Sequence, residues 1–240
     1  MKINKLIRIH LQYILNKTII IIFVLLSIFL LLYFLLISNS FSNYSYRWLG
    51  GDEINRQYYY SVVSIFKIII PLFIVYIYGS SFLEENDNYR LLLINTKIDK
   101  IMYFITKFIS INIIVFVTVF LLYLECIIVG EIFIIKFNGL LLIDELFIIY
   151  LISILFGLEA IICTIITSKS VGYVFIIILF VIIEGMLSYN GDELNILNYL
   201  FPSFIQTNDG FSLVMGYSHL IICIIFNLLI SLIVYHYKDM

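Results

Sequence analysis

The sequence predicts an all-α integral membrane protein with six transmembrane helices, and three observations carry that prediction. Hydrophobic residues make up 63% of the 240 and charged residues 12%, against about a half and about a quarter in a soluble domain. A soluble fold has no place for that excess, because its surface must still be covered with polar groups. The apolar residues also gather into six runs, each near the roughly 20 residues that a helix needs to cross ~30 Å of hydrocarbon. Finally, the lysines and arginines between the runs fall mostly on one side. The runs are continuous rather than alternating in polarity, which argues against a β-barrel. Many of their residues are Ile, Val and Phe, weak helix formers in water. In lipid every backbone polar group must be bonded within the chain, so such runs become helices all the same.

Residues 1–17 place Ile3, Leu6, Ile7, Leu11, Ile14 and Leu15 at helical spacing, with Lys2, Lys5, Arg8, Gln12 and Asn16 on the other side. This pattern suits an N-terminal amphipathic helix lying along the headgroups, and equally a basic flank for the first span. The first span is 18–37. It is too long for a signal h-region, and no small-residue cleavage site follows at Ser38–Phe41, so it is expected to stay. An external loop, Ser38–Tyr60, carries Trp48 and Tyr58-Tyr59-Tyr60, side chains that anchor at membrane interfaces. The second span, 61–78, contains Lys67 and Pro71, and the proline is expected to kink it.

The third span is 108–129 and leads through a small loop, Gly130–Glu145, to the fourth at 146–167. Only Ser168-Lys169-Ser170 separates the fourth from the fifth, 171–187, so these two form an antiparallel hairpin. An external segment, 188–218, holds Asp192, Glu193, Asp209 and Pro202. Its centre, Leu197–Ile205, is apolar enough to re-enter the membrane where other protein buries it. The sixth span is 219–237, and the whole of 1–240 reads as a single transmembrane domain.

Positive charge sets the orientation. With the N-terminus cytoplasmic, inner segments hold Lys2, Lys5, Arg8, Lys17, Arg90, Lys97, Lys100, Lys107, Lys169 and Lys238, and outer ones only Arg47, Arg56 and Lys136. Both termini are therefore expected in the cytoplasm of a cell-membrane protein. A net charge of −2 offers no basic field for nucleic acid. Cys126, Cys163 and Cys223 lie singly within apolar runs, so neither a zinc site nor a disulfide framework is expected. His10, His219 and His236 sit near span boundaries without paired spacing and read as interface residues, not metal ligands.

The connector between the second and third spans, 82–100, is too polar to cross. Glu84, Glu85 and Asp87 come first, then Tyr89-Arg90 and an apolar Leu91-Leu92-Leu93-Ile94, then Lys97 and Lys100. The acids suit a helix N-terminus and the lysines suit an inner flank. By physics alone it is either a docking surface for a cytoplasmic partner or a solvated connector.

The arrangement resembles the permeases of ATP-binding-cassette type-2 transporters. In that family the second span ends in a glutamate, and a short coupling helix leads to a third span that begins with a lysine. Glu84 or Glu85 matches the glutamate, Arg90–Ile94 the coupling segment and Lys107 the lysine. The N-terminal amphipathic helix, the six spans and the proline-bearing external stretch agree with it. Asn88-Tyr89 stands where the family often has Gly-Thr, and a proline near Asn95-Thr96 is missing, which leaves the register of the coupling helix open. The short chain is most similar to permeases of lantibiotic- and bacitracin-type peptide export and immunity.

The resemblance implies a membrane subunit of an exporter of peptides or amphipathic antimicrobials, or of drugs or lipids, and not an enzyme. No Gly-x-x-x-x-Gly-Lys-Ser/Thr phosphate loop is present. ATP and Mg²⁺ are thus expected on a separate cytoplasmic ATPase gripping Glu84, Glu85, Tyr89, Arg90, Leu91, Leu92, Lys97 and Lys100, and a second permease chain, identical or not, completes the pathway.

Four ionisable residues, Lys67, Glu125, Glu159 and Glu184, fall inside predicted spans, where charge is costly unless paired or wet. The acids line a route for a cationic or amphipathic substrate, or they pair: Lys67 lies at a depth that suits Glu125 or Glu184, while Glu159 sits in the inner half of its span. Two other classes compete with the transporter. A CAAX-type intramembrane protease has Glu-Glu and Arg near a span end, but here four residues separate Glu85 from Arg90 and the later histidine motifs are absent. A membrane assembly protein with no pathway is the other.

Overall fold

In the computed structural model, residues 3–45, 51–83, 99–134, 139, 141–190 and 213–238 are described. They form seven helices and no strand: α1 Ile3–Ile14, α2 Lys17–Ser45, α3 Gly51–Ser81, α4 Lys100–Phe133, α5 Leu141–Thr167, α6 Val171–Asn190 and α7 Leu213–Tyr237. Five of them, over Lys17–Ser40, Ile54–Ser81, Lys100–Phe133, Leu146–Thr167 and Leu220–Tyr237, are long and apolar enough to cross a membrane. This is the signature of a multi-pass membrane protein.

The helices outrun the apolar stretches that announced them. α3 begins at Gly51, so Tyr58, Tyr59 and Tyr60 lie on a helix and not in a loop. The segment assigned to 188–218 is helical at both ends, through Asn190 and again from Leu213. α4 starts at Lys100 rather than at residue 108, and its 34 residues measure ~51 Å at ~1.5 Å per residue. The reason is common to all: backbone hydrogen bonding sets where a helix ends, whereas polarity marks only where lipid ends. At α4 the start is set by Asp99, an extended N-cap residue whose carboxylate accepts from the Ile101 N–H at 3.4 Å. Pro71 sits within an unbroken α3 and removes only the bond its own missing N–H would have made to Lys67.

Packing divides the bundle into two groups. In the first, α5 lies between α3, α6 and α7, and its contact with α3 is the most extensive among the described residues. Small residues make these approaches possible. A Cβ at Gly157 would stand 2.8 Å from the Tyr78 ring, and one at Gly79 would overlap the Cβ of Tyr173 on α6. The α5–α6 turn is as sharp as its three residues require, with Ser168 left-handed at φ 56° and Gly172 so close to the Cys163 backbone that a Cβ there would meet it at 2.6 Å. In the second group α1 and α2 pack on α4. Thinner contacts of α2 with α3, α3 with α4 and α4 with α7 join the groups. One of them is a polar crosslink: Tyr78 Oη donates to Asn112 Oδ1 at 2.9 Å, and Asn112 Nδ2 donates back to the Phe108 carbonyl.

Some polar residues in the apolar helices are satisfied locally: Thr118 and Ser153 donate to the carbonyls four residues earlier, at 2.8 and 2.6 Å. Large side chains such as Leu25, Leu36, Phe116, Ile222 and Phe226 point outward, as a lipid-facing surface requires.

Candidate functional site

One end of the bundle, here the basal end, gathers α1, the end of α3, the start of α4, the α5–α6 turn and the end of α7. Phe82 packs its ring on Phe104 (5.3 Å between centroids) and Tyr235 (6.2 Å). Lys107, 1% exposed, lies with Nζ 4.5 Å from the centre of the Phe82 ring and 5.5 Å from that of Tyr103. A lysine so far from water is tolerable when aromatic faces supply negative potential. The sequence reading placed Lys107 where the third span begins. It is instead two turns inside α4 and buried, because α1 covers it.

α1 turns part of the apolar stripe read from the sequence toward protein, while Ile3 and Leu15 stay exposed. Leu6, His10 and Ile14, one turn apart, are all buried, while Lys5, Arg8 and Gln12 are exposed. Ser110 Oγ donates to the Ile7 carbonyl at 3.3 Å, fixing α1 on α4. His10 is therefore no interface residue. It is 2% exposed, its ring meets Tyr103 edge-on at 4.8 Å, and Nε2 has no hydrogen-bond partner among the described residues. Burial, aided by the nearby Lys107 cation, lowers its pKa from 6.5 to about 4, so it is neutral at pH 7. At the same end Lys238 Nζ donates to Ser168 Oγ at 2.5 Å, tying the end of α7 to the α5–α6 turn.

Of the connector residues named from sequence, Lys100 opens α4 rather than closing the connector. Glu84, Glu85, Tyr89, Arg90, Leu91, Leu92 and Lys97 lie outside the described residues, as does 191–212 with Leu197–Ile205. The intramembrane charges separate. Glu125 is not paired with Lys67; its Oε1 accepts a hydrogen bond from Ser27 on α2, and its Oε2 is buried without a partner among the described residues. Ser27 lies ten residues into α2, or ~15 Å along it. Lys67 is half-buried on α3. Glu159 is half-buried on α5, with its carboxyl within electrostatic reach of Cys163 and Cys223. Glu184 falls in the last turns of α6, with its side chain outside the description.

Tyr58, read as an interface anchor, is fully buried and donates from Oη to the Cys126 carbonyl at 3.1 Å. His10, Ser27, Tyr58 and Asn112 were the informative residues that hydropathy passed over. Ser27 and Asn112 stand within apolar runs, which is the signal that would have flagged them, whereas His10 and Tyr58 lie in mixed stretches that carry no such signal. The described residues contain no group of three or more His, Cys, Asp or Glu that could hold a metal, and none of their three cysteines forms a disulfide. No model of a known protein family matches the chain, and no curated protein matches it either.

Proposed function

We propose that this chain is the membrane-spanning subunit of an ATP-binding-cassette exporter, moving a peptide or amphipathic antimicrobial out of the cell membrane. α6 serves as the sixth span: its 20 residues cover ~30 Å at ~1.5 Å per residue, and α2 to α7 then cross alternately with both termini in the cytoplasm. α1 lies at the inner interface, its basic face toward headgroups and its apolar face on α4.

The observation that supports this reading best is the position of the polar connector. It leaves α3 beside Phe82 and rejoins at Asp99, at the end of the bundle that also holds α1, Lys107 and Lys238. Positive charge concentrates at that end, which is the inner one by charge bias. Residues 82–100 then face the cytosol on a rigid aromatic base, where an ATPase subunit can grip Glu84, Glu85, Tyr89, Arg90, Leu91, Leu92, Lys97 and Lys100. ATP hydrolysis takes place on that partner, and a second permease chain completes the pathway.

The test is copurification with the ATPase encoded nearest the gene. Glu84→Lys or Arg90→Glu is expected to reduce the recovered ATPase at least several-fold while membrane insertion stays unchanged. Full recovery with both reversals, or no ATPase with the unaltered chain, would falsify the assignment.

A further inference from the structure

Of the four charges inside the membrane, Glu159 stands apart. Glu125 is held by Ser27, Lys67 is a base, and the side chain of Glu184 is outside the description. Glu159 forms no hydrogen bond among the described residues, and it faces the seam between α5 and α7. Both helices run toward the basal end, and the ring contact of Phe147 with Tyr217, 5.8 Å between centroids, fixes their register. Carried down the helices, that offset brings Glu159 level with Leu229, half a turn from Asn227. Along α5 the edge of the seam carries Glu159 and, one turn on, Cys163; along α7 it carries Cys223 and, one turn on, Asn227. Asn227 Nδ2 donates to the Cys223 carbonyl at 3.1 Å. Glu159, Cys163, Cys223 and Asn227 are all half-buried. Eight residues, or ~12 Å, separate Glu159 from the basal end of α5.

A carboxylate at that depth is tolerated when it is paired with a cation or when water reaches it, and a dry, unpaired one takes up a proton instead. The described residues supply no cation here, and lipid alone would leave the group stranded. We infer that the α5–α7 seam at Glu159 is a water-accessible site for the positively charged group, ammonium or guanidinium, of an amphipathic substrate. The substrate part of this inference rests on the transporter reading; the accessible, cation-selective seam does not.

The two cysteines are built-in reporters. Membranes holding the full chain are treated from either side with a cationic trimethylammonium-ethyl methanethiosulfonate, an anionic sulfonato-ethyl one, or neutral N-ethylmaleimide, and Cys163→Ser and Cys223→Ser assign the labelled thiol. Measured relative to each reagent's rate with free cysteine, a focused negative field is expected to make the cationic reagent react roughly tenfold faster than the anionic one. Glu159→Gln is expected to bring the two rates together, and Glu159→Asp to keep them apart. Equal rates in the unaltered chain, a ratio untouched by Glu159→Gln, or reaction with N-ethylmaleimide alone would each overturn the proposal. The first comparison needs no variant, so a misfolded Glu159→Gln does not shield it. Cation-selective labelling in a chain that captures no ATPase would sink the permease reading and leave this site standing. Equal labelling in a chain that does capture one would do the reverse.

Discussion

His10 shows what one buried titratable group does to the docking of a helix. Released from α4 it would titrate near 6.5; docked, it titrates near 4 because burial, with Lys107 adding to it, disfavours the cation. The folded value is depressed, so docking is at full strength above pH 6.5. It weakens as pH falls from 6.5 toward 4, and levels off below that. The loss amounts to about 3 kcal/mol at most, taking ~1.4 kcal/mol per pKa unit. The thermal stability of the detergent-solubilised chain is thus expected to drop between pH 7 and pH 4.5. His10→Phe, which keeps an edge for Tyr103 and cannot be protonated, is expected to flatten that drop. An equally steep drop in His10→Phe would place the acid sensitivity elsewhere.

Between helices, the absence of a side chain does as much as its presence. At Gly79 the obstacle to a Cβ is the Cβ of Tyr173, which its own backbone fixes and which no rotamer moves aside. Gly79→Ala therefore has to push α3 and α6 apart, an overpacking cost of about 1–3 kcal/mol. Ser80→Ala, at a half-buried neighbour, serves as the control. A Gly79→Ala chain that melts with the control would mean the helices do not meet so closely. Helix existence was legible from apolar runs alone, and so was the α5–α6 hairpin, because three residues leave no other connection. Helix ends were not legible, because hydropathy reports the solvent and not the backbone bonds that carry α3 up to Gly51 and α4 down to Asp99. The fate of α1's stripe was hidden for a related reason. Leu6, His10 and Ile14 would look the same whether they met lipid or α4, and only the long-range bond from Ser110 to Ile7 decides between the two.

At the level of the molecule, the six alternating crossings proposed for α2 to α7 would put α1 and Lys238 on the same side of the membrane. Single cysteines at Lys5 and Lys238 are expected to react with an impermeant maleimide from the same side of the membrane. Reaction from opposite sides would break the six-crossing arrangement. The candidate site was only partly legible for a reason that operates at this scale. Sequence supplied the four membrane-embedded charges, but pairing is a matter of which helices become neighbours. Depth along a span allowed Lys67 with Glu125, whereas the docking of α2 on α4 gave Glu125 to Ser27 instead.

The uneven packing of the two helix groups has a mechanical consequence. With α5 wedged among α3, α6 and α7, and Lys238 pinning the turn at Ser168, these four helices form one stiff block. α4 with its two riders, α1 and α2, forms the other. The boundary between them is crossed by the Tyr78–Asn112 link, the bond from Tyr58 to the Cys126 carbonyl, the Phe34–Phe66 ring contact and the rings around Phe82. Residues 83 and 99, the last and first described residues on either side of the polar connector, belong to different blocks, so a relative shift of the blocks would change the distance between them.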